Sequence, residues 1–193
     1  MALLEKKEMA QAAAAFREAV AEDRHQAEAY LMLGIIASRQ GEPLEAIRNL
    51  EKARRLRPSS PEIAYNLAFA YFKAGVPQST ITVLEAAPKV MRPSGAADRL
   101  LGDAFVETGN YTQGIRYLRA SLQEDAGQPG TSYDLGIALL KAGALHEAEA
   151  FLLHATRKFP RSPDLRVGLG IAQYMVGKNA DAERSFLTAS RED

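Results

Sequence analysis

Glycine returns along this chain at a fixed interval: Gly41, Gly75, Gly109, Gly143 and Gly177 stand 34 residues apart, with no insertion or deletion between them. Seven residues before each stands a small residue (Gly34, Ala68, Gly102, Gly136, Gly170), and directly before that a leucine (Leu33, Leu67, Leu101, Leu135, Leu169). Nine residues after each glycine comes Leu50, Leu84, Leu118, Leu152 or Phe186, and three residues further Ala53, Ala87, Ser121, Ala155 or Ala189. Self-similarity at such a period marks a repeat architecture, in which one supersecondary unit cannot bury its apolar face alone and neighbouring units complete it.

The residues inside one period say what that unit is. Leu33 and Ala37 share one helical face, as do Ala46, Leu50 and Ala53 at steps of three and four. Each period therefore predicts two helices with a turn between them. The turn falls on the periodic glycine, because glycine readily takes the left-handed conformation just past a helix end. Pro43 and Pro77 then open second helices, where the missing N–H leaves no bond unmade. Eight of the nine prolines fall at predicted helix boundaries; Pro88 falls inside a predicted helix and is expected to end it early. The small residue before the turn lets two helices approach closely, so Gly136→Leu is expected to overpack by roughly 1–3 kcal/mol.

This pattern resembles the tetratricopeptide repeat, which has a large residue at position 4, Leu at 7, Gly or Ala at 8, a large apolar residue at 11, Ala at 20, a large residue at 24, Ala at 27 and Pro at 32. With position 1 at Ala27, Pro61, Gly95, Pro129 and Pro163, the second unit reads Tyr30, Leu33, Gly34, Ala37, Ala46, Leu50, Ala53 and Pro58. Thr80 and Gly114 depart from Ala at 20, Arg92 and Ala126 from Pro at 32, and no unit has Trp at 4. The resemblance covers almost the whole chain. It implies an all-α fold, a right-handed superhelical solenoid of antiparallel helix pairs with about eleven helices. Residues 1–193 then form a single array: a partial repeat at 1–26, then repeats at 27–60, 61–94, 95–128, 129–162 and 163–193. In the partial repeat Ala12, Phe16 and Ala19 match positions 20, 24 and 27, only Leu3 and Leu4 remain of the first helix's core side, and Lys7 replaces the glycine. The expectation is a segment of a larger protein.

Composition and motifs narrow the chemistry. The chain balances 24 basic against 24 acidic side chains, which gives no general attraction to nucleic acid or anionic membranes. It has no cysteine, which removes disulfides, Cys-based metal sites and a thiol nucleophile and suits the cytoplasm and the periplasm alike. No apolar run of about 18 residues is present to span a membrane. Gly168-Leu169-Gly170 lacks the third glycine of a dinucleotide loop, with Gln173 in its place, and Gly177-Lys178 lacks both the earlier glycine and the Ser or Thr of a phosphate loop. His146-Glu147 has Ala150 where a zinc protease needs its second histidine, and His25 and His154 complete no ligand set. Glu147 and Glu149 point to different helix faces. The basic run Lys52, Arg54, Arg55, Arg57 sits at a helix end, where cations meet the negative end of the dipole, and no aromatic residues interleave with it for base stacking. No enzyme, metal, cofactor or nucleic-acid partner is expected.

What the resemblance implies instead is a protein or peptide partner. In this family positions 2, 5, 9, 12 and 13 of the first helices line an inner groove, with position 6 at its margin. That places Leu31, Ile35 and Arg39 of the second unit there, Tyr65, Asn66, Phe69, Phe72 and Lys73 of the third, and Arg99, Asp103 and Glu107 of the fourth. The fifth contributes Tyr133, Asp134, Ile137 and Lys141, and the sixth Val167, Ile171, Tyr174 and Met175. The arrangement suits a helix or extended peptide with apolar anchors around a polar group. Of the clamp with which some relatives hold a chaperone's C-terminal carboxylate, only Asn66 is in place; Leu31, Ile35, Ala96 and Leu100 do not fit, so no such clamp is expected. The alternatives are a module that self-associates through its uncapped ends, and the substrate-recruiting region of an enzyme whose catalytic domain lies outside these residues.

Overall fold

The computed structural model describes residues 2–87 and 94–191, with side chains from residues 7 and 95 onward in the two stretches. The chain divides into two compact units, residues 1–93 and 94–193. The first holds α1 (Ala2–Glu22), α2 (Ala27–Arg39), α3 (Pro43–Leu56), α4 (Pro61–Lys73) and α5 (Pro77–Ala86). The second holds α6 (Ser94–Glu107), α7 (Tyr111–Glu124), α8 (Pro129–Lys141), α9 (Leu145–Lys158), α10 (Pro163–Met175) and α11 (Asn179–Ala189). Among the described residues there are eleven helices and no strand.

The periodic glycines are the turns. All five take positive φ, from 73° at Gly75 to 85° at Gly177, and among the described residues no other residue does. Each closes its helix with the same pair of bonds. After α2, Gly41 N donates to Ser38 O at 3.2 Å and Glu42 N to Ala37 O at 2.9 Å, which satisfies carbonyls the helix end leaves open. Pro43, Pro61, Pro77, Pro129 and Pro163 begin helices, and the Ser60 and Ser162 hydroxyls accept N-terminal N–H groups from Ile63 and Leu165. The helix expected to end early does so: α5 has 10 residues where α3 has 14. Its C-cap Ala87 is extended, with ψ 134°, the conformation a following proline imposes; Pro88 itself lies outside the described residues, as does Arg92.

Packing follows the small-residue rule. A methyl group placed on Gly102 would lie 2.6 Å from Leu118 Cγ, and one on Gly170 2.6 Å from Phe186 Cε1; Gly34 and Gly136 face Leu50 and Leu152 in the same way. Leu50, Leu118 and Leu152 are fully buried as a result, each worth about 1.5–3 kcal/mol of apolar burial. The departures at positions 20 and 27 are locally compensated. Thr80 is buried and its hydroxyl donates to Ala68 O at 3.0 Å; Ser121 is buried and donates to Gly95 O at 2.7 Å. Gly114 accommodates Val106, whose Cγ2 would lie 2.6 Å from an added methyl.

The first, partial repeat is one continuous helix of 21 residues through Lys7, since lysine, unlike glycine, does not favour the left-handed turn. The side chains of Leu3 and Leu4 lie outside the described residues. Ala12, Phe16 and Ala19 are only partly buried, whereas their counterparts Ala46, Leu50 and Ala53 are fully buried. The first helix that covers this position in later repeats has no counterpart among the described residues.

Candidate functional site

In the first unit the expected inner positions fall on α2 and α4. Tyr65, Asn66, Phe69 and Phe72 are partly exposed and Lys73 is exposed. Lys73 Nζ lies 5.6 Å from the centre of the Phe69 ring, a cation–π contact. Asn66 Nδ2 donates to Glu62 O at 2.9 Å within its own helix. Leu31 is a correction: it is 1 % exposed, because α1 packs on α2 on one side while α3 and α4 close the others. It is a core residue. Sequence reasoning also missed a cavity of about 460 Å³ lined by Met9, Ala12 and Phe16 of α1 and by Met32, Ile36 and Arg39 of α2. Phe16, a position-24 residue with no glycine facing it, was the available signal.

In the second unit the expected inner positions fall on α6, α8 and α10. Arg99 projects from α6 to α8. Its Nε donates to Asp134 Oδ2 at 2.9 Å and its Nη2 stands 2.8 Å from the same oxygen, while Asp103 Oδ2 is 3.9 Å from Nε. Gly130 makes room for it, since a methyl group there would meet Arg99 Nη2 at 3.3 Å. The guanidinium thus serves Asp134 first and Asp103 second. Burial, then the neighbouring Asp134 charge, push the Asp103 carboxyl up to about 7 against the pull of Arg99. Burial also raises Asp134, opposed by Arg99 and reinforced by Asp164. Further along, Lys141 Nζ meets Glu107 Oε1 at 3.4 Å.

Apolar groups flank this polar strip. The Tyr133 ring lies against Gly168 of α10, where an added methyl would sit 3.4 Å from Cδ2. Tyr133, Ile137 and Ile171 pack partly on the core of the second unit. Tyr174 is 66 % exposed, and Met175 next to it and Val167 two helical turns earlier are exposed as well. The structure therefore brings Arg99 and Asp103 together with Asp134 and sets Tyr133 against Gly168. The Arg99–Asp134 and Glu107–Lys141 pairs are 35 and 34 residues apart in sequence, so the repeat register was the signal for both. On another face, Ile115, Arg116 and Arg119 of α7 and Glu147 of α9 line a cavity of about 620 Å³, in which Arg119 pairs with Glu147; nothing in the repeat pattern pointed to it. His146 and His154 are both exposed, and among the described residues no group of acidic and histidine side chains is arranged to hold a metal ion. No helix of the described residues is long and apolar enough to cross a membrane.

Comparison with known proteins agrees with this architecture. Two family models match, described as "Tetratricopeptide repeat" over residues 105–166 and "TPR repeat" over residues 39–75. The chain is 33% identical over 106 residues, 55% of its length, to Tetratricopeptide repeat protein 21B of Mus musculus, and spans 8% of that protein. It is 31% identical over 77 residues, 40% of its length, to the Peroxisomal targeting signal receptor of Candida albicans, and spans 13% of it. Among solved structures it resembles YrrB, a TPR protein with an unusual peptide-binding site, with TM-score 0.75 and 20% identity over 94% of this chain and 93% of that one. It also resembles MamA 41-end from Desulfovibrio magneticus RS-1, with TM-score 0.78 and 21% identity over 86% and 94%. With the glycine turns in register and the small residues seating the large ones, these matches show that the chain belongs to the tetratricopeptide repeat family.

Proposed function

We propose that this chain is a non-catalytic protein-interaction scaffold that holds a peptide or helix of another protein against the inner positions of its first helices. The observation that carries the reading is the inner face of the second unit. There a partly buried ion-paired strip, Arg99, Asp103 and Asp134, lies beside half-buried Tyr133, Ile137 and Ile171, and α10 ends in the exposed Tyr174 and Met175. Such a face combines apolar contact area with a few polar groups that fix register. In the first unit Tyr65, Asn66, Phe69, Phe72 and Lys73 offer the corresponding positions. Relatives named as a targeting signal receptor and as a TPR protein with a peptide-binding site support the same kind of role. Residues 1–193 are proposed to act as one array of repeats.

Selection of a displayed random peptide library on the full chain tests this. Enriched peptides should bind, and Tyr174→Ala should weaken them by about tenfold, the scale of one anchoring aromatic, with helicity unchanged. Peptides that bind equally well to Tyr174→Ala and to Tyr65→Ala/Tyr133→Ala would remove the inner faces from consideration. Self-association is the second reading, favoured by Phe186 and Leu187 on α11, which are 38% and 50% exposed. Light scattering across a dilution series separates the two: a dimer that resists dilution supports self-association.

A further inference from the structure

The charges on the inner face of the second unit do not balance, and the imbalance selects an occupant. Four carboxylates stand at inner or marginal positions: Asp103 and Glu107 on α6, Asp134 on α8, and Asp164 in the first turn of α10. Against them stand two cations, Arg99 and Lys141. Lys141 is taken by Glu107 at 3.4 Å, and the short contacts of Arg99 go to Asp134. Asp103 keeps only a 3.9 Å contact with Arg99, although its side chain is 24% exposed and an ionised carboxylate so placed needs a close positive partner. Asp164 adds negative charge next to Asp134. Around this strip the surface is apolar and aromatic: Tyr133, Ile137, Val167 and Ile171 on α8 and α10, with Tyr174 open at the end of α10.

We propose that this face docks a partner-protein segment in which a lysine or arginine is flanked by apolar side chains, the cation lying between Asp103 and Asp134 and the flanking groups on Tyr133, Ile171 and Tyr174. The proposal rests on the inner face being the binding face and adds the chemistry of what binds there. A cation at this point gives Asp103 a closer partner than Arg99 at 3.9 Å, and apolar neighbours cover the half-exposed ring and aliphatic groups beside it. An acidic segment is disfavoured, because it would bring a further negative charge to a strip that already carries a surplus.

The test uses the full chain and synthetic peptides. Peptides enriched from a random library are expected to carry Lys or Arg between apolar residues. In fluorescence anisotropy titrations, replacing that basic residue by Gln should weaken binding about tenfold, and by Glu more. Asp103→Asn should weaken the basic peptide by a similar factor and leave the Gln peptide unchanged, so the two losses are not additive. Asp164→Asn, at an exposed position, should produce the same pattern with a smaller effect. Circular dichroism melting confirms that each variant is folded. Enriched peptides that lose affinity to Tyr174→Ala but show no preference for a basic residue, or lose affinity to Asp103→Asn whatever stands at that place, would overturn this inference and leave the scaffold reading intact. A library that yields no binder to the inner face would overturn both.

Discussion

Gly143 turns the chain at φ 78° with no atom within 4 Å of where a side-chain methyl would sit. Gly143→Ala therefore separates backbone strain from packing. It is expected to destabilise by about 1–2 kcal/mol, the cost of a left-handed non-glycine residue, read as a shift in urea midpoint at unchanged slope. Asp103 makes a second prediction at this scale. Its carboxyl moves from an ordinary value of 3.8 to about 7 in the folded chain. Between those values the folded state holds a proton that the unfolded state has released. The stability this contributes is present in full below the unfolded value and is lost as pH rises through the folded one. Asp103→Asn has no such titration. Relative to the parent chain it is expected to gain on the order of 1 kcal/mol or more in stability between roughly pH 5 and pH 8, since one pKa unit is about 1.4 kcal/mol. Urea unfolding of both proteins at the two pH values checks this, and parallel pH profiles would contradict it.

At the scale of the helix pair, stability rests on one large side chain entering a gap left by a small one. Leu152 of α9 fills the space beside Gly136 of α8, and an added methyl on Gly168 of α10 would meet its Cδ2 at 3.3 Å. One leucine thus contributes to two successive pairs. Leu152→Ala is expected to cost about 2–5 kcal/mol, the range for a buried leucine leaving a cavity. Hydrogen exchange should show α8, α9 and α10 losing protection together; loss confined to α9 would show that the pairs are energetically independent. Pro88 shows how a local rule overrides the repeat. Its neighbour Ala87 is held extended, and α5 stops four residues short of the length of α3.

For the whole molecule, the proposal of one array makes a cooperative claim. Stacked repeats share stability with their nearest neighbours, so a single array should lose α2–α4 and α8–α10 at the same urea concentration. Hydrogen exchange resolved by segment measures this. Distinct midpoints for residues 1–93 and 94–193, the two compact units, would mean that each folds by itself. The proposed binding faces differ between the units: the first carries Phe69 and Phe72 with Lys73, and the second carries Tyr133 and Tyr174 with the carboxylates of Asp103, Glu107, Asp134 and Asp164.

The turn glycines, the helix starts at proline, and the leucine and small-residue positions follow from the order of residues alone, because each depends on φ preferences and helical spacing within a few residues. The same order, carried across one period, names the helices expected to line a binding face. It does not say which inward residues remain open. Leu31 and Tyr133 occupy the same repeat position, yet one is 1% exposed and the other is partly open, because the neighbouring helices that cover them carry different side chains. Nor does it say that Arg99 reaches Asp134 before Asp103 and leaves the latter short of positive charge. Exposure and electrostatic environment depend on atoms contributed by other helices, and only the packed structure brings those atoms within a few ångströms of one another.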